Sequence, residues 1–234
     1  MASKQAKVVV VGAGNVGATY ANDLMISGLA KEIVLVDANP KKAEGEAMDL
    51  NHGASFLPPC KVSYGGYEEC VDADLVVLTA GAAQKPGETR LDLAQKNTDL
   101  YREIIPQVTG HTTEAILLVV ANPVDVLTYA TLKVSGYPEN RVIGSGTLLD
   151  TSRFRYLVGK HCGVDPRNVH GYIIGEHGDT EVPLFSSLTI GGVYLEKYCL
   201  ACERECNPQK QLDEIFTQVK NAAYKIIECK GSTY

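Results

Sequence analysis

The chain has 234 residues, of which 45% are hydrophobic and 21% are charged, an ordinary composition for a globular protein. The formal net charge is −6 and the lysines and arginines form no clustered stripe, so nucleic acids and anionic membranes are not expected partners. No run of about 18 apolar residues occurs, which argues against a membrane span, and glycines interrupt the apolar N-terminal run at once, which argues against a secretory signal.

Apolar runs alternate with helical patterns through the first half of the chain. The run at residues 7–11 is almost entirely valine, as expected for a strand that is covered on both faces. This alternation predicts a doubly wound parallel sheet with right-handed crossovers, formed by residues 1–145. The predicted strands are residues 7–11, 33–36, 74–79 and 114–120, and the predicted helices are residues 15–28, 40–53 and 91–109.

The pattern changes after about residue 145. We predict a helix over 149–161, a strand over 169–174, a glycine-rich hairpin over 187–194 and a long helix over 207–229. Mixed helices and short strands of this kind predict a second, α+β domain formed by residues 146–234.

A glycine motif, Gly12-Ala13-Gly14-Asn15-Val16-Gly17, separates the first strand from the first helix. Gly12 permits a tight turn, Gly14 lets the backbone approach a pyrophosphate, and Gly17 permits close packing of helix on strand. Asp37 follows the second strand, where a carboxylate accepts hydrogen bonds from ribose hydroxyls and repels a 2′-phosphate. The motif therefore predicts binding of NAD rather than NADP, and a strand–helix turn without a ligand is the alternative.

A histidine lies among glycines in the stretch Ile174-Gly175-Glu176-His177-Gly178-Asp179. Histidine ionises near neutral pH, so His177 is a candidate for proton transfer. Asp150 and Arg153 share one face of a predicted helix. A carboxylate there can orient His177, and a guanidinium can hold a substrate carboxylate bidentately. The alternatives are a loop histidine without a role and an ordinary surface ion pair.

Two more segments belong to the candidate site. The loop formed by residues 81–90 has the glycine content of a lid and carries Arg90. The segment Ala121-Asn122-Pro123-Val124-Asp125 follows a predicted strand at its carboxyl end, where doubly wound folds bind their ligands.

Together these residues closely resemble the lactate/malate dehydrogenase family, over essentially the whole chain. The resemblance implies a Rossmann-type NAD-binding domain, a following substrate domain, and an enzyme that interconverts L-2-hydroxy acids and 2-keto acids. By this resemblance His177 is the proton donor and acceptor, Asp150 is its partner, and Arg153 anchors the substrate carboxylate. Arg90 enters when the loop closes and polarises the reacting carbonyl.

The resemblance also assigns the residues that bind substrate and cofactor. Asn122 contacts substrate and lies beside the nicotinamide, and Gln84, Asp125 and Thr233 belong to the substrate pocket. The positions that line the family's cofactor groove are Gly12, Gly14, Val16, Gly17, Asp37, Lys42, Tyr67, Gly81, Ala82, Asn122 and Thr147.

Gln84 is the residue that bears on the choice of substrate. In similar malate dehydrogenases this position is an arginine that pairs with the second carboxylate of oxaloacetate. A glutamine leaves that carboxylate without a countercharge, which is heavily penalised in a closed site. We therefore expect pyruvate and L-lactate as substrates, as in glycolysis and fermentation, with branched 2-keto acids and malate as the alternatives.

Arg155 and His170 match positions at which allosteric bacterial members of the family bind fructose 1,6-bisphosphate between subunits. An arginine and a histidine suit a phosphate group. The resemblance thus implies an activator and a homotetramer, and two partly exposed polar residues without a ligand are the alternative.

Seven cysteines are spread through the chain, an odd number that predicts reduced thiols and a cytoplasmic protein. Cys199, Cys202 and Cys206 have a spacing that suggests metal ligands, but a fourth ligand at suitable spacing and a flanking histidine are missing. Ordinary cysteines and no metal are the preferred interpretation.

Family members continue beyond the residues that match 231–234 of this chain. We therefore expect the C-terminal part of the second domain to be missing. An NAD-binding scaffold without activity is accordingly the alternative from a different class of function.

Overall fold

The computed structural model describes residues 6–82, 87, 89–202 and 207–233, and for Arg90 the backbone only. The described chain divides into two compact units, of which the first ends at Ser145 and the second extends from Gly146 to Thr233.

The first unit is built on a six-stranded sheet in which every neighbouring pair of strands is parallel. The order across the sheet is β3-β2-β1-β4-β5-β6, so the doubly wound fold predicted from the sequence is confirmed. The strands are β1 (Ala6–Val11), β2 (Ala30–Val36), β3 (Lys61–Gly65), β4 (Leu75–Leu78), β5 (Ile116–Val119) and β6 (Val142–Gly144).

Helices cover both faces of this sheet, and the side chains of β1 show why. Val9 and Val11 belong to one buried cluster, whereas Val8 and Val10 belong to another, because successive side chains of a strand point to opposite faces. Both faces are therefore apolar, and the strand appears in the sequence as an unbroken run of valine. The helices are α1 (Asn15–Ser27), α2 (Pro40–His52), α3 (Arg90–Thr109) and α4 (Val124–Ser135).

Three elements of the first unit were not predicted from the sequence. The strands β3 and β6 are the two edges of the sheet, and β6 has only three residues, so neither leaves a long apolar run. The helix α4 begins with Val124, Val126 and Thr128 within its first five residues, and such β-branched residues give a weak helical pattern.

The second unit packs two long helices and short strands around a separate core. Phe154 and Val158 of the first long helix share this core with Leu212 and Val219 of the last one. The elements are α5 (Leu148–Cys162), β7 (Val169–His170), β8 (Ile173–Ile174), β9 (Val182–Pro183), β10 (Thr189–Ile190), β11 (Val193–Tyr194), α6 (Leu195–Leu200) and α7 (Pro208–Lys230).

The strand predicted over residues 169–174 is wrong as a single element. It divides into β7, which pairs with β10, and β8, which pairs with β9. The segment between them binds to α5 instead of to a strand, because Arg155 Nε donates to Gly171 O at 3.0 Å. The glycine-rich hairpin is confirmed, since β10 and β11 are antiparallel and joined by Gly191 and Gly192, both with positive φ.

A membrane-spanning helix is not found among the helices that the structure describes, because none is both long and apolar enough.

The packing of α1 on the sheet makes a testable prediction about Gly17. A Cβ atom at Gly17 would lie 1.8 Å from Gly12 O, so Gly17→Ala must displace helix from strand. We expect it to lower the free energy of unfolding by about 2–3 kcal/mol. The measurement is urea denaturation followed by circular dichroism.

Gly45→Ala is the matched control, because Gly45 also lies within a helix and a Cβ there meets no atom within 4 Å. It should raise stability by about 0.5–1 kcal/mol. Equal effects of the two substitutions would contradict the close contact at Gly17.

Candidate active site

The glycine motif lies where β1 turns into α1, at the carboxyl edge of the sheet. Gly12 has φ +108°, and a Cβ there would lie 2.5 Å from Ala80 N, so this position requires glycine. At Gly14 a Cβ meets no atom within 4 Å, which leaves the backbone open beside the first turn of α1. An open backbone beside the N-terminus of a helix, where the first N–H groups have no partner within the helix, fits a pyrophosphate group.

Asp37 holds this turn in place from the end of β2. Its Oδ2 accepts a hydrogen bond from Ala13 N–H at 2.8 Å, and its Oδ1 accepts one from Asn39 N–H at 2.9 Å. Each carboxylate oxygen has a second lone pair. The same side chain can therefore fix the glycine loop and still accept hydrogen bonds from ribose hydroxyls.

Three further predicted cofactor residues lie in the same unit. Val16 is in the first turn of α1 and is partly exposed, and Lys42 is exposed in the first turn of α2. Tyr67 begins a short 3-10 helix. Burial is the main cause that raises the pKa of Tyr67, and the charges of Cys70 and Asp37 add to it.

The loops after β4 and β5 are joined by a buried asparagine that the sequence analysis missed. Asn97, on α3, is 1% exposed. Its Oδ1 accepts from Ala82 N–H at 2.8 Å, and its Nδ2 donates to Asn122 O at 2.8 Å. Thus Gly81, Ala82 and Asn122 are held at one edge of the sheet.

A cis peptide bond joins Asn122 to Pro123, and Asp125 follows in the first turn of α4.

In the second unit, His177 lies in the loop that joins β8 to β9. Its Nδ1 is 2.5 Å from Asp150 Oδ2, and Asp150 lies in the first turn of α5. The side chain of Asp150 is 4% exposed and that of His177 is 24% exposed. A carboxylate at Nδ1 favours the tautomer with its proton on that nitrogen, which leaves Nε2 for exchange of a proton with a substrate.

Arg153 binds the other oxygen of the same carboxylate. Its Nη1 donates to Asp150 Oδ1 at 3.1 Å, and its side chain is 15% exposed. An ordinary surface ion pair, the alternative from the sequence, is therefore wrong, because both partners are largely buried. The guanidinium has five N–H donors, so donors remain for a substrate carboxylate.

Hydroxyl groups at the start of α5, on the residue that precedes the helix and in its first turn, position the strand that leads to the histidine loop. Thr147 Oγ1 donates to Ile173 O at 2.7 Å, and Thr151 Oγ1 accepts from Ile173 N–H at 3.0 Å. These bonds occupy both backbone groups of Ile173. The loop that carries His177 begins two residues later, so α5 sets the position of both members of the Asp150–His177 pair.

The pair shifts both ionisations away from their ordinary values. The hydrogen bond that His177 donates to Asp150 is the main cause that raises the pKa of His177 above 6.5, and it outweighs burial, which acts in the opposite direction. Burial is the largest influence on Asp150 and raises its pKa. His177 and Arg153 together outweigh it, so the pKa of Asp150 stays below its usual value. The charged pair His177⁺–Asp150⁻ is therefore favoured.

Three predicted substrate residues lie near the ends of helices or outside the described part of the chain. Gln84 lies outside the described residues, and so does the side chain of Arg90, although its backbone begins α3. Thr233 follows α7 and is half-buried.

The two predicted effector residues lie on different elements of the second unit, and Arg155 contacts the two residues that follow His170. Arg155, on α5, donates to Gly171 O and stacks on the ring of Tyr172. His170 is exposed on β7, directly before Gly171.

The cysteines and the acidic groups bear on metal binding. Cys199 and Cys202 line a mainly apolar cavity together with Cys162, and Cys206 lies outside the described residues. Among the residues that the structure describes, no compact group of metal-binding side chains contains a cysteine. One such group consists of Asp150, His177 and Glu181, but the first two are already joined to each other through a proton. We assign no metal there.

Glu181 is the second site residue that the sequence analysis missed. It lies one residue before β9 and is 6% exposed. The sequence carries no signal for it, because alternation would place the apolar Val182 inward and Glu181 outward, whereas the structure has Val182 exposed and Glu181 buried.

Two family models match the chain almost from end to end. The model described as the lactate/malate dehydrogenase NAD-binding domain matches residues 6–144. The model described as the lactate/malate dehydrogenase alpha/beta C-terminal domain matches residues 147–234. The cofactor expected from the glycine motif is thus the cofactor of the family's first domain.

Curated relatives and solved structures agree with these models. An L-lactate dehydrogenase of Acetivibrio thermocellus is 56% identical over 97% of this chain and 72% of its own length. One from Geobacillus kaustophilus is 57% identical over 97% of this chain and 72% of its own length. The crystal structure of the minor L-lactate dehydrogenase of Enterococcus mundtii has a TM-score of 0.94 at 48% identity, over 98% of this chain and 73% of that one. With its two domain matches and these relatives, the chain belongs to the lactate/malate dehydrogenase family.

Proposed function

We propose that this chain catalyses the reversible conversion of pyruvate to L-lactate with NADH as the hydride donor. The single observation that carries the proposal is the buried Asp150 carboxylate, which binds His177 through one oxygen and Arg153 through the other. An acid–base group, His177, and a carboxylate-binding group, Arg153, are therefore bound to the same carboxylate. Its relatives at 51–57% identity carry the name L-lactate dehydrogenase.

His177 is the proton donor in this proposal. NAD(H) bound at the glycine loop supplies or accepts the hydride. His177 Nε2 gives its proton to the carbonyl oxygen of pyruvate, and Asp150 stabilises the imidazolium before the transfer. In the reverse direction neutral His177 takes the proton of the lactate hydroxyl.

The other residues bind and orient. Arg153 holds the carboxylate of pyruvate, with Asn122, Asp125 and Thr233 as further residues of the substrate pocket. Arg90 polarises the carbonyl, and electrostatic assistance of this kind is worth about 3–4 kcal/mol. The cofactor is bound by the glycine motif and by Asp37, with Val16, Lys42, Tyr67, Gly81, Ala82 and Thr147 as further residues.

Gln84 selects the substrate in this proposal. A neutral side chain accepts the methyl group of pyruvate and gives no countercharge to the second carboxylate of oxaloacetate.

The cellular setting belongs to the same proposal. We place the enzyme in the cytoplasm, as a homotetramer in which Arg155 and His170 bind fructose 1,6-bisphosphate as activator.

The first prediction concerns substrate choice. We expect faster oxidation of NADH with pyruvate than with oxaloacetate, followed by the loss of NADH absorbance. Gln84→Arg should raise the ratio of kcat/KM for oxaloacetate to kcat/KM for pyruvate by about tenfold or more. The reason is that the arginine adds a partner for the second carboxylate of oxaloacetate.

Retention of the pyruvate preference in Gln84→Arg would assign specificity to other residues. Binding of NADH without turnover of either keto acid would instead favour the scaffold without activity. Fluorescence of bound NADH distinguishes this outcome from loss of the cofactor site.

The second prediction concerns the activator. Fructose 1,6-bisphosphate should raise pyruvate turnover, and His170→Gln should raise the concentration needed by about tenfold, because a charged phosphate contact is lost. Arg167→Gln is the control, since Arg167 is exposed and binds Asp165. An equal loss of activation in both variants would argue against a site at His170.

The third prediction concerns pH. Pyruvate reduction requires protonated His177, and the pKa of His177 is raised above 6.5. The rate should therefore hold through neutral pH and fall only as pH rises through that higher pKa, whereas lactate oxidation should rise over the same range. Asp150→Asn removes the main cause of the shift and should move both transitions to lower pH.

The control for the third prediction is Asp165→Asn, because Asp165 is an exposed carboxylate that binds Arg167. Its pH profiles should match those of the unsubstituted chain. Coincident profiles for Asp150→Asn and the unsubstituted chain would remove His177–Asp150 from the rate-determining proton transfer.

A further inference from the structure

Glu181 is a buried acid whose role the proposed function does not use. It is 6% exposed, although glutamate is almost never fully buried without a partner. Its Oε1 is buried and finds no hydrogen-bond partner among the described residues. A carboxylate with an unsatisfied buried oxygen is costly, whereas a neutral carboxylic acid is much less so.

The charged groups around Glu181 come from three elements. Asp150 and Arg153 belong to α5, His177 belongs to the same loop as Glu181, and Lys220 belongs to α7. Polar atoms of Asp150, His177 and Glu181 all lie within 4.8 Å of one another. Lys220 Nζ donates to Asp179 O at 2.8 Å, which holds this cation near the loop.

One carboxyl oxygen of Glu181 lies within 4.8 Å of one carboxyl oxygen of Asp150, and both side chains are buried. Two negative charges this close in a buried place repel each other, so the neutral form of one of the two carboxyl groups is favoured. Burial, followed by the charge and the hydrogen bond of Asp150, raises the pKa of Glu181 to about 7. His177 and Arg153 keep the pKa of Asp150 low, so the proton belongs to Glu181.

We propose that Glu181 is a positioning residue that sets the ionisation of His177 through Asp150. When neutral, Glu181 donates a hydrogen bond to Asp150 and weakens the hold of that carboxylate on the imidazolium. When ionised, Glu181 adds a negative charge beside His177 and strengthens that hold. The catalytic meaning of this role rests on the function proposed above, but the ionisation itself does not.

The consequence is that the affinity of His177 for its proton increases as the pH rises. As pH rises, Glu181 loses its proton and gains a charge that attracts the imidazolium. His177 therefore keeps its proton to a higher pH than Asp150 alone would allow. The two groups titrate together, and neither transition belongs to one residue by itself.

The test is a titration of His177 by nuclear magnetic resonance in the full chain, without substrate or cofactor. The chain has five histidines, and loss of one signal in His177→Asn identifies the relevant imidazole. Glu181→Gln keeps a hydrogen-bond donor beside Asp150 and cannot ionise. We expect it to lower the midpoint of the His177 titration by about one pH unit, as loss of a charge within about 4–6 Å predicts.

The matched control is Glu214→Gln, which makes the same change of charge at an exposed residue of α7. It should leave the midpoint of His177 unchanged. An unchanged midpoint in Glu181→Gln as well, in a chain with the circular dichroism spectrum of the parent, would overturn the proposal.

A second measurement covers the case in which Glu181→Gln does not fold. In the unsubstituted chain, the infrared carbonyl band of a protonated carboxyl group should persist at pH 6 and disappear as pH rises through about 7. Absence of that band at pH 6 would overturn the proposal without any substitution.

Kinetics then connect the ionisation to the proposed function. In a chain that turns over pyruvate, Glu181→Gln should move the high-pH fall of kcat/KM to lower pH by the same amount. A chain without turnover would refute the proposed function, while the two spectroscopic measurements would still decide the role of Glu181.

Discussion

The second unit depends on a single buried charge. The carboxylate of Asp150 is 4% exposed, and an isolated ion at such a place is strongly disfavoured. It persists because His177 binds one oxygen and Arg153 binds the other. The same requirement fixes the geometry of the site, since both partners must be brought to one carboxylate. Removal of one partner leaves one oxygen of the buried carboxylate without its bond, which costs more than the net value of the bond.

Asp37 has the corresponding part in the first unit, with backbone amides in place of charged side chains. One of its oxygens accepts from an N–H group in the turn after β1, and the other accepts from an N–H group in the turn after β2. Asn97 does the same for the loops after β4 and β5. In both cases a polar side chain satisfies backbone groups that a sheet cannot, because the strands end there. Parallel strands therefore end in loops that are fixed in place and open to a ligand.

The features that the sequence predicted well are those that leave a local pattern. The valine run of β1, the glycine motif and the glycine pair of the last hairpin each follow from burial or backbone conformation of a few neighbouring residues. The edge strands β3 and β6, and the division of residues 169–174, depend on partners that are distant in sequence. Asn97 and Glu181 escaped notice for the same reason, because a polar residue in a helix or loop shows its burial only when the chain is folded.

The hydrogen bonds that join residues 171–173 to α5 have a consequence for how the parts of this unit are connected. Arg155 binds the carbonyl of Gly171, and Thr147 and Thr151 bind Ile173, so three side chains tie the segment to the helix. Arg153 and Arg155 are two residues apart on this helix and so point to nearly opposite sides. The chain between His170 and the loop of His177 is therefore bound to α5 at Gly171 and Ile173. A displacement of His170 would be expected to reach the His177 loop through these bonds.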